Sequence, residues 1–255
     1  MMRKIKFLSV LLIICGLLLT GGAVVLQLFT PMGDMHPLFL SGVKSFDNVR
    51  EIISVTGALP VRLEFTESEN CEVEWNSGLP LIISCDEYGT LKINEDDSFT
   101  LSLFSESSEN AGVTIKIPVR GYERISLSTS GGDIVCADVS TDSLEISTRS
   151  GNILVAGADE RTKIKSESGD IVFSTDSFRN EMAVNSISGN ITAYLDGRAD
   201  FFVEYTTEGG YCTSRGFDKN VDNRKGDAAL LSGKGKNILK INTKTGNLLI
   251  IRENN

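Results

Sequence analysis

The chain of 255 residues holds a single histidine, His36, and no Cys-x-x-Cys pair among its five cysteines. A structural zinc site needs four closely placed nitrogen or sulfur ligands, and Cys15, Cys71, Cys85, Cys136 and Cys212 are too scattered to supply them. A Ser-His-Asp or Cys-His nucleophile needs a base beside it. His36 falls in a spacer ahead of the first strands and is read as an exposed linker residue, which excludes that chemistry. The sequence thus predicts no catalytic residue, no metal and no cofactor. Basic charge is also scarce. The formal net charge is −9, and Arg3, Lys4 and Lys6 crowd the N-terminus, so the rest is more acidic still. Nucleic acid binding draws its affinity from neutralised phosphates, and an acidic chain with 7% aromatic residues is no candidate for it. Broad attachment to anionic lipid is disfavoured for the same reason. Proline is rare, at 5, and glycine abundant, at 24, a balance that fits many tight turns and few kinks.

One long apolar run is present. Phe7 to Phe29 carries no charge over 23 residues. A hydrocarbon core of about 30 Å needs about 20 apolar residues in a helix. The run predicts one transmembrane helix within residues 1–30, followed by a spacer at 31–42. The small residues Thr20 to Ala23 keep signal-peptide cleavage open as an alternative. Ile14 is too bulky to precede a lipidated Cys15. The basic N-terminus places residues 1–6 in the cytoplasm and the rest outside, so the predicted location is a single-pass cell membrane protein touching lipid through this helix.

Beyond residue 120 the chain repeats itself. Ser128 to Ile134, Ser147 to Ile153, Ser166 to Ile171, Asn185 to Ile191 and Asn242 to Leu248 share a Ser/Thr-Gly-Asp/Asn turn followed by an aliphatic residue, and Thr206 to Cys212 is a degenerate copy. Ile134, Ile153, Ile171, Ile191 and Cys212 are spaced 19, 18, 20 and 21 residues apart. Apolar residues alternate before each turn, as at Ile125 and Leu127, and after it, as at Ile171 and Phe173. Period-2 alternation means strands with one buried face. Gly, Asn and Asp are expected at the turns because they tolerate positive φ. One such unit cannot bury its face alone, so the sequence predicts a β-solenoid-like, all-β stack of strand-turn-strand repeats. Residues 121–255 form this repeat region. A polar insertion at 216–237 breaks the period and carries Arg224, Lys225, Lys234 and Lys236.

Residues 43–120 read as a further β region. Asn76 to Pro80 resembles a hairpin loop. If Trp75 faces Leu81 across it, Cys71 faces Cys85, and the two are candidates for a disulfide, with two buried free thiols as the open alternative. Cys136 and Cys212 fall at inward positions about four units, or roughly 19 Å, apart and are expected to pack rather than bond.

In order, Phe46 to Ile52, Gly89 to Ile93, Val113 to Pro118 and the serial Ser-Gly-Asp/Asn-Ile turns resemble the bacterial "putative adhesin" family of β-strand repeats, a domain of unknown function in envelope proteins. The resemblance covers about residues 43–251. It implies a solenoid-like fold and an extracytoplasmic location, and some relatives with a similar anchor are tied to cell-envelope stress systems. It implies no catalytic residues.

Asp133, Asn152, Asp170, Asn190 and Asn247 occupy equivalent turns. They read as turn chemistry first, and as a ladder for cations or sugar hydroxyls second. Calcium rolls use repeated Asp at a nine-residue period, which is not this one. Ser232 to Lys236 lacks the spacing of a phosphate loop. Asn190-Ile-Thr192 is a formal glycosylation sequon. The expected function is a non-enzymatic envelope module that contacts an unidentified envelope protein. An adhesive surface protein that binds glycan or another cell is the alternative, and a glycan-active β-helix enzyme a remote one.

Overall fold

The computed structural model describes residues 40–96, 111–137, 139–157, 162–175, 181–196, 200–217, 221–223 and 226–253. The chain divides into Met1–Leu38 and Phe39–Asn255. The first unit, with the expected transmembrane helix, Cys15 and His36, lies outside the described residues, as do Arg224 and Lys225. Among the described residues no helix is long and apolar enough to cross a membrane.

The strands, in chain order, are β1 (Leu40–Phe46), β2 (Glu51–Thr56), β3 (Val61–Thr66), β4 (Cys71–Ser77), β5 (Leu81–Cys85), β6 (Thr90–Glu95) and β7 (Gly112–Pro118). The repeat region adds β8 (Arg124–Thr129), β9 (Ile134–Cys136), β10 (Leu144–Thr148), β11 (Ile153–Val155), β12 (Thr162–Ser166), β13 (Ile171–Thr175), β14 (Glu181–Ser186) and β15 (Ile191–Asp196). Last come β16 (Phe201–Thr207), β17 (Cys212–Arg215), β18 (Asp222–Asn223), β19 (Ala228–Ser232), β20 (Asn237–Thr243) and β21 (Leu248–Glu253).

They form two sheets, which we call A and B. Sheet A runs β1-β4-β7-β3-β9-β11-β13-β15-β21-β17-β18, and sheet B runs β19-β16-β20-β14-β12-β10-β8-β2-β6-β5. Each repeat places its first strand in sheet B and its second in sheet A. The turn between them is an arch from one sheet to the other, and all hydrogen-bonded pairing runs to the next coil. Pairing between coils is parallel and in register: Ile125 meets Leu144, Leu144 meets Thr162, and Ile134, Ile153 and Ile171 align in sheet A. The alternation read from the sequence is the burial pattern observed. Ile125, Leu127, Leu144, Ile146, Ile153, Val155, Ile171 and Phe173 are all buried between the sheets. Such a core stabilises by roughly 1.5–3 kcal/mol for each fully buried aliphatic or aromatic side chain.

Residues 43–120 share these two sheets. The coil β2–β3 stacks on β8–β9, and β6–β7 stacks on β2–β3. The expected hairpin at Asn76 to Pro80 is instead an arch. Strand β4 pairs with β1 and β7 in sheet A, whereas β5 pairs with β6 in sheet B. Gly78 and Pro80 suit either turn; the inward residues Val73 and Ile83 need opposite walls of one core, and that decides for the arch.

Antiparallel strands close both ends of the stack. At one end β1 pairs with β4, β4 with β7, and β5 with β6. At the other, the insertion at 216–237 supplies β18 against β17 and β19 against β16. An open parallel edge invites pairing with another chain, and such caps blunt it. Lys44 tightens the first cap: its Nζ, on β1, donates to the Ile83 carbonyl of β5 at 2.8 Å, tying the edge of one sheet to the edge of the other.

Candidate functional site

The repeat turns are the most regular chemical feature of the molecule. On the outer side of each arch the five Asp and Asn residues form a continuous ladder. Asn152 donates its backbone N–H to Asp133 Oδ1 at 2.7 Å, Asp170 to Asn152 Oδ1 at 3.1 Å, and Asn190 to Asp170 Oδ1 at 2.8 Å. Asn247 donates both its N–H and its Nδ2 to Asn190 Oδ1, and Tyr211 N–H donates to Asn247 Oδ1 at 3.2 Å. The backbone answers in the other direction, as Ile134 N–H donates to the Asn152 carbonyl and Ile153 N–H to that of Asp170. Acid and amide alternate over the first four rungs. Adjacent carboxylates would stand about 5 Å apart, at the strand spacing, and alternation doubles that distance. The formal sequon residue Asn190 is bound into this ladder through its side chain.

A second ladder holds the arch from inside. Gly132 N–H donates to Thr129 Oγ1, Gly151 N–H to Thr148 Oγ1, and Gly246 N–H to Thr243 Oγ1. Ser166 and Ser186 instead donate to the carbonyls of Gly169 and Gly189. The glycines between the ladders correct the reason given by the sequence. Positive φ among glycines occurs at Gly89, Gly157, Gly216, Gly226, Gly233 and Gly235, and not at the repeat turns. The turn glycines are there because coils stack on them. A Cβ on Gly151, Gly169, Gly189 or Gly246 would meet the carbonyl oxygen of the previous turn glycine at under 3.0 Å, a separation that something must shift to accommodate.

The ladder is thus stacking chemistry first. Its Oδ1 atoms accept from the next coil, and among the described residues no group of three His, Cys, Asp or Glu side chains could hold a metal ion. A surface cleft of about 530 Å³ opens elsewhere, lined among others by Phe46, Asp47, Arg50, Cys85, Asp86 and Tyr88. Its Asp86 carboxylate is already taken. Oδ1 accepts from the N–H groups of Thr90 and Tyr88, and Oδ2 pairs with Lys92. Those bonds, that of Thr90 foremost, hold the acid below the usual carboxylate range.

Cys71 and Cys85 are both free, on strands of different sheets. Burial pushes the Cys71 thiol up to about 12 and outweighs the opposing pull of Arg120. Burial also raises Cys136 to about 12 and Cys212 to about 11. Cys136 and Cys212 are further apart than the sequence implied, because β11, β13, β15 and β21 all lie between their strands, making about 24 Å at the strand spacing.

The outer faces of the two sheets differ in chemistry. The middle strands of sheet B present Ser126, Glu145 and Lys163, with ion pairs Arg124–Glu145 at 2.8 Å and Lys240–Glu181 at 2.9 Å, while Val55, Ile82, Leu231 and Ile238 are exposed toward its two ends. On sheet A the first strands pair Lys116 with Glu74 at 2.6 Å, and Asp196, Arg215 and Glu253 bring charge to the far strands. From β9 to β21 its outward positions include Val135, Leu154, Val172, Thr192 and Leu249 in one row, and Ser174, Tyr194 and Ile251 in the next, where Arg215 of β17 pairs with Ile251. Leu154 is 48% exposed and the other apolar residues of the set are half-buried. This stripe was not recognised from the sequence. Its signal is the aliphatic residue at the middle of Ile-Val-Cys, Ile-Leu-Val and Ile-Val-Phe, where sheet B has Ser, Glu or Lys. Asp200 was missed as well. Its Oδ1 accepts the Lys236 N–H at 2.9 Å, and its carbonyl accepts from Asn237. The segment noted for a phosphate-loop likeness, Ser232 to Lys236, is the strand crossing that Asp200 holds.

The Toastrack DUF4097 family model matches residues 51–160 and again residues 122–250. No curated protein matches the chain. Among solved structures, the chain is similar to a "putative cell adhesion protein" from Clostridium sporogenes, with 14% identity, a TM-score of 0.48, and coverage of 84% of this chain and 100% of that one. It is also similar to a "putative adhesin" from Bacteroides fragilis, at 11% identity, a TM-score of 0.34 and coverage of 84% and 98%. A "putative lipid binding protein" from Parabacteroides distasonis gives 15% identity, a TM-score of 0.34 and coverage of 83% and 96%.

Proposed function

The chain belongs to the Toastrack DUF4097 family, and from that premise we propose that it is a non-enzymatic, membrane-anchored extracytoplasmic protein whose β stack works by protein contact in bacterial cell-envelope stress. The anchor in this reading rests on the uncharged run Phe7 to Phe29 behind Arg3, Lys4 and Lys6. The observation that carries the binding role is the row of apolar side chains on the outer face of sheet A. Sheet A offers Leu154, Val172, Leu249 and Ile251 on a hydrogen-bonded surface, whereas the middle strands of sheet B put Ser126, Glu145 and Lys163 at the matching positions. Apolar patches on a rigid scaffold are what a protein partner buries at the centre of an interface. The non-enzymatic reading is supported by the turn ladder, whose Oδ1 atoms accept from the next coil.

The test is crosslinking in native membranes, comparing the full-length chain with an ectodomain beginning near residue 40, followed by mass spectrometry. Capture of an integral-membrane sensor or transporter by the full-length chain alone is expected. That capture should fall for Leu154→Asp and Leu249→Asp at unchanged thermal stability. Equal capture of wall glycan or a surface protein by the free ectodomain would replace this reading with the adhesive one.

A further inference from the structure

The stacking order at the C-terminal end departs from the order of the chain. The last coil, β20–β21, lies between β14–β15 and β16–β17, so two coils that are consecutive in sequence are separated by one that follows both. The arches do not select this order. Gly210 meets the Gly246 carbonyl, and Gly246 that of Gly189, as Gly151 meets that of Gly132. Each arch is also closed from within: Thr207 and Thr243 accept from the N–H of Gly210 and Gly246, and Ser186 donates to the Gly189 carbonyl. The rows also agree. Ile191 pairs with Leu248, and Leu248 with Cys212, so removing the middle coil leaves Ile191 and Cys212 in register. A sequential stack, with β16–β17 directly on β14–β15, therefore obeys the same local rules. It also closes a shorter loop, residues 197–200, than the loop from β17 to β20, residues 216–236. Short closures form before long ones.

The crossing distinguishes the observed order. Residues 233–236 carry the chain from β19, over β16, to β20. Gly233 and Gly235 make the path feasible at φ of +67° and +69°, where a side chain is strained. Asp200 pins it: Oδ1 accepts the Lys236 N–H at 2.9 Å, and the Asp200 carbonyl accepts Asn237 N–H at 3.3 Å and Nδ2 at 2.9 Å. We propose that the stack assembles in sequential order first, and that the C-terminal coil then enters between the two preceding coils, with Asp200 as the positioning residue that holds it there. This device is independent of what the protein binds.

The test uses the full-length chain refolded from urea in detergent. In wild-type protein, pulsed hydrogen exchange should find residues 201–215 protected before residues 237–253. Simultaneous or reversed protection overturns the order of assembly. A cysteine reporter sharpens the point, with crosslinked peptides identified by mass. In Ile191→Cys, the link to Cys212 should form early and be absent from protein oxidised after folding, whereas in Leu248→Cys the link to Cys212 should form late and persist. Should either variant fail to fold, the wild-type labelling still decides. For the positioning role, Asp200→Ala should speed native-state exchange of 237–253 by roughly tenfold, the effect of losing a hydrogen bond to a charged group, with 162–175 unchanged. Equal acceleration of both regions, or of neither, removes Asp200 from that role.

Discussion

Asp133 Oδ1 accepts the backbone N–H of Asn152 at 2.7 Å, one coil away in space and 19 residues away in the chain. The same bond repeats at the next two rungs, with amide and then acid as the acceptor. Either side chain can accept, so hydrogen bonding alone does not explain the alternation. Charge does. Asn152→Asp keeps the acceptor but places a carboxylate between those of Asp133 and Asp170, about 5 Å from each. At that separation each exposed pair costs up to about 1 kcal/mol in water-like surroundings. The variant should lose roughly 1–2 kcal/mol at low salt and recover much of it near 0.5 M salt, where the Debye length is short. Urea midpoints at the two salt concentrations check it. A loss indifferent to salt would point away from charge.

The turn glycines make a sharper demand. Their φ angles are ordinary, so an alanine is not strained by its backbone. It is excluded by the carbonyl of the coil beneath. Gly169→Ala would drive a Cβ into the Gly151 carbonyl and should cost at least about 3 kcal/mol, the upper range for overpacking, because both sides are backbone. Gly121→Ala is the control. Nothing lies within 4 Å of its Cβ, and the change should be neutral or stabilise by about 0.4–1 kcal/mol. Thermal unfolding of the two variants separates stacking from conformational freedom, since the latter predicts similar effects for both.

Much of this architecture was legible because it is local. The alternation at Ile125 and Leu127, or Ile171 and Phe173, marks the buried face directly, and the period of the Ser-Gly-Asp/Asn turns marks the stack. What could not be read is what the repeats share. Every coil satisfies the same arch and the same row, so the sequence carries no mark that Leu248 seats between Ile191 and Cys212 rather than beyond Cys212. Gly78 and Pro80 serve a hairpin or an arch equally. The glycine signal was seen, but its cause, a carbonyl from another coil, exists only once the coils are stacked. The apolar face of sheet A was hidden for a related reason. A run such as Ile153-Leu-Val reads as a fully buried strand, and its outward Leu154 shows only when the core is known to lie on one side.

Ser54 breaks the row it occupies. It is fully buried, between Ile93 on one side and Leu127 on the other, and its hydroxyl has no hydrogen-bond partner. The equivalent positions of later coils are Leu127, Ile146, Ile164 and Val184. An unmade bond on a buried hydroxyl costs about 1–3 kcal/mol. Ser54→Ala removes that penalty at nearly constant volume and should raise the unfolding midpoint by about 1 kcal/mol in free energy terms. A loss of stability in chemical denaturation would show that the hydroxyl is satisfied in solution.

The cysteines give a reactivity order and a pH dependence from one cause. Burial raises Cys71 and Cys136 to about 12 and Cys212 to about 11, so their thiols stay protonated at neutral pH and are shielded from reagents. Cys85 is half-buried at the end of an edge strand. Among these four, Cys85 should react first with iodoacetamide in native protein, and the others only on unfolding. The sign of the linkage follows. These thiols ionise near 8.5 in the unfolded chain and higher in the fold, so their stabilising effect is complete below about pH 8. It falls as pH rises from there toward 11 and 12, because the unfolded state releases protons that the fold retains. Urea midpoints measured from neutral to alkaline pH should decline over that window, less steeply in Cys136→Ala once its own cavity cost is subtracted at neutral pH. Labelling in urea checks the free state of Cys71 and Cys85: both should label without reductant, and a pair that stays silent until it is reduced would overturn it.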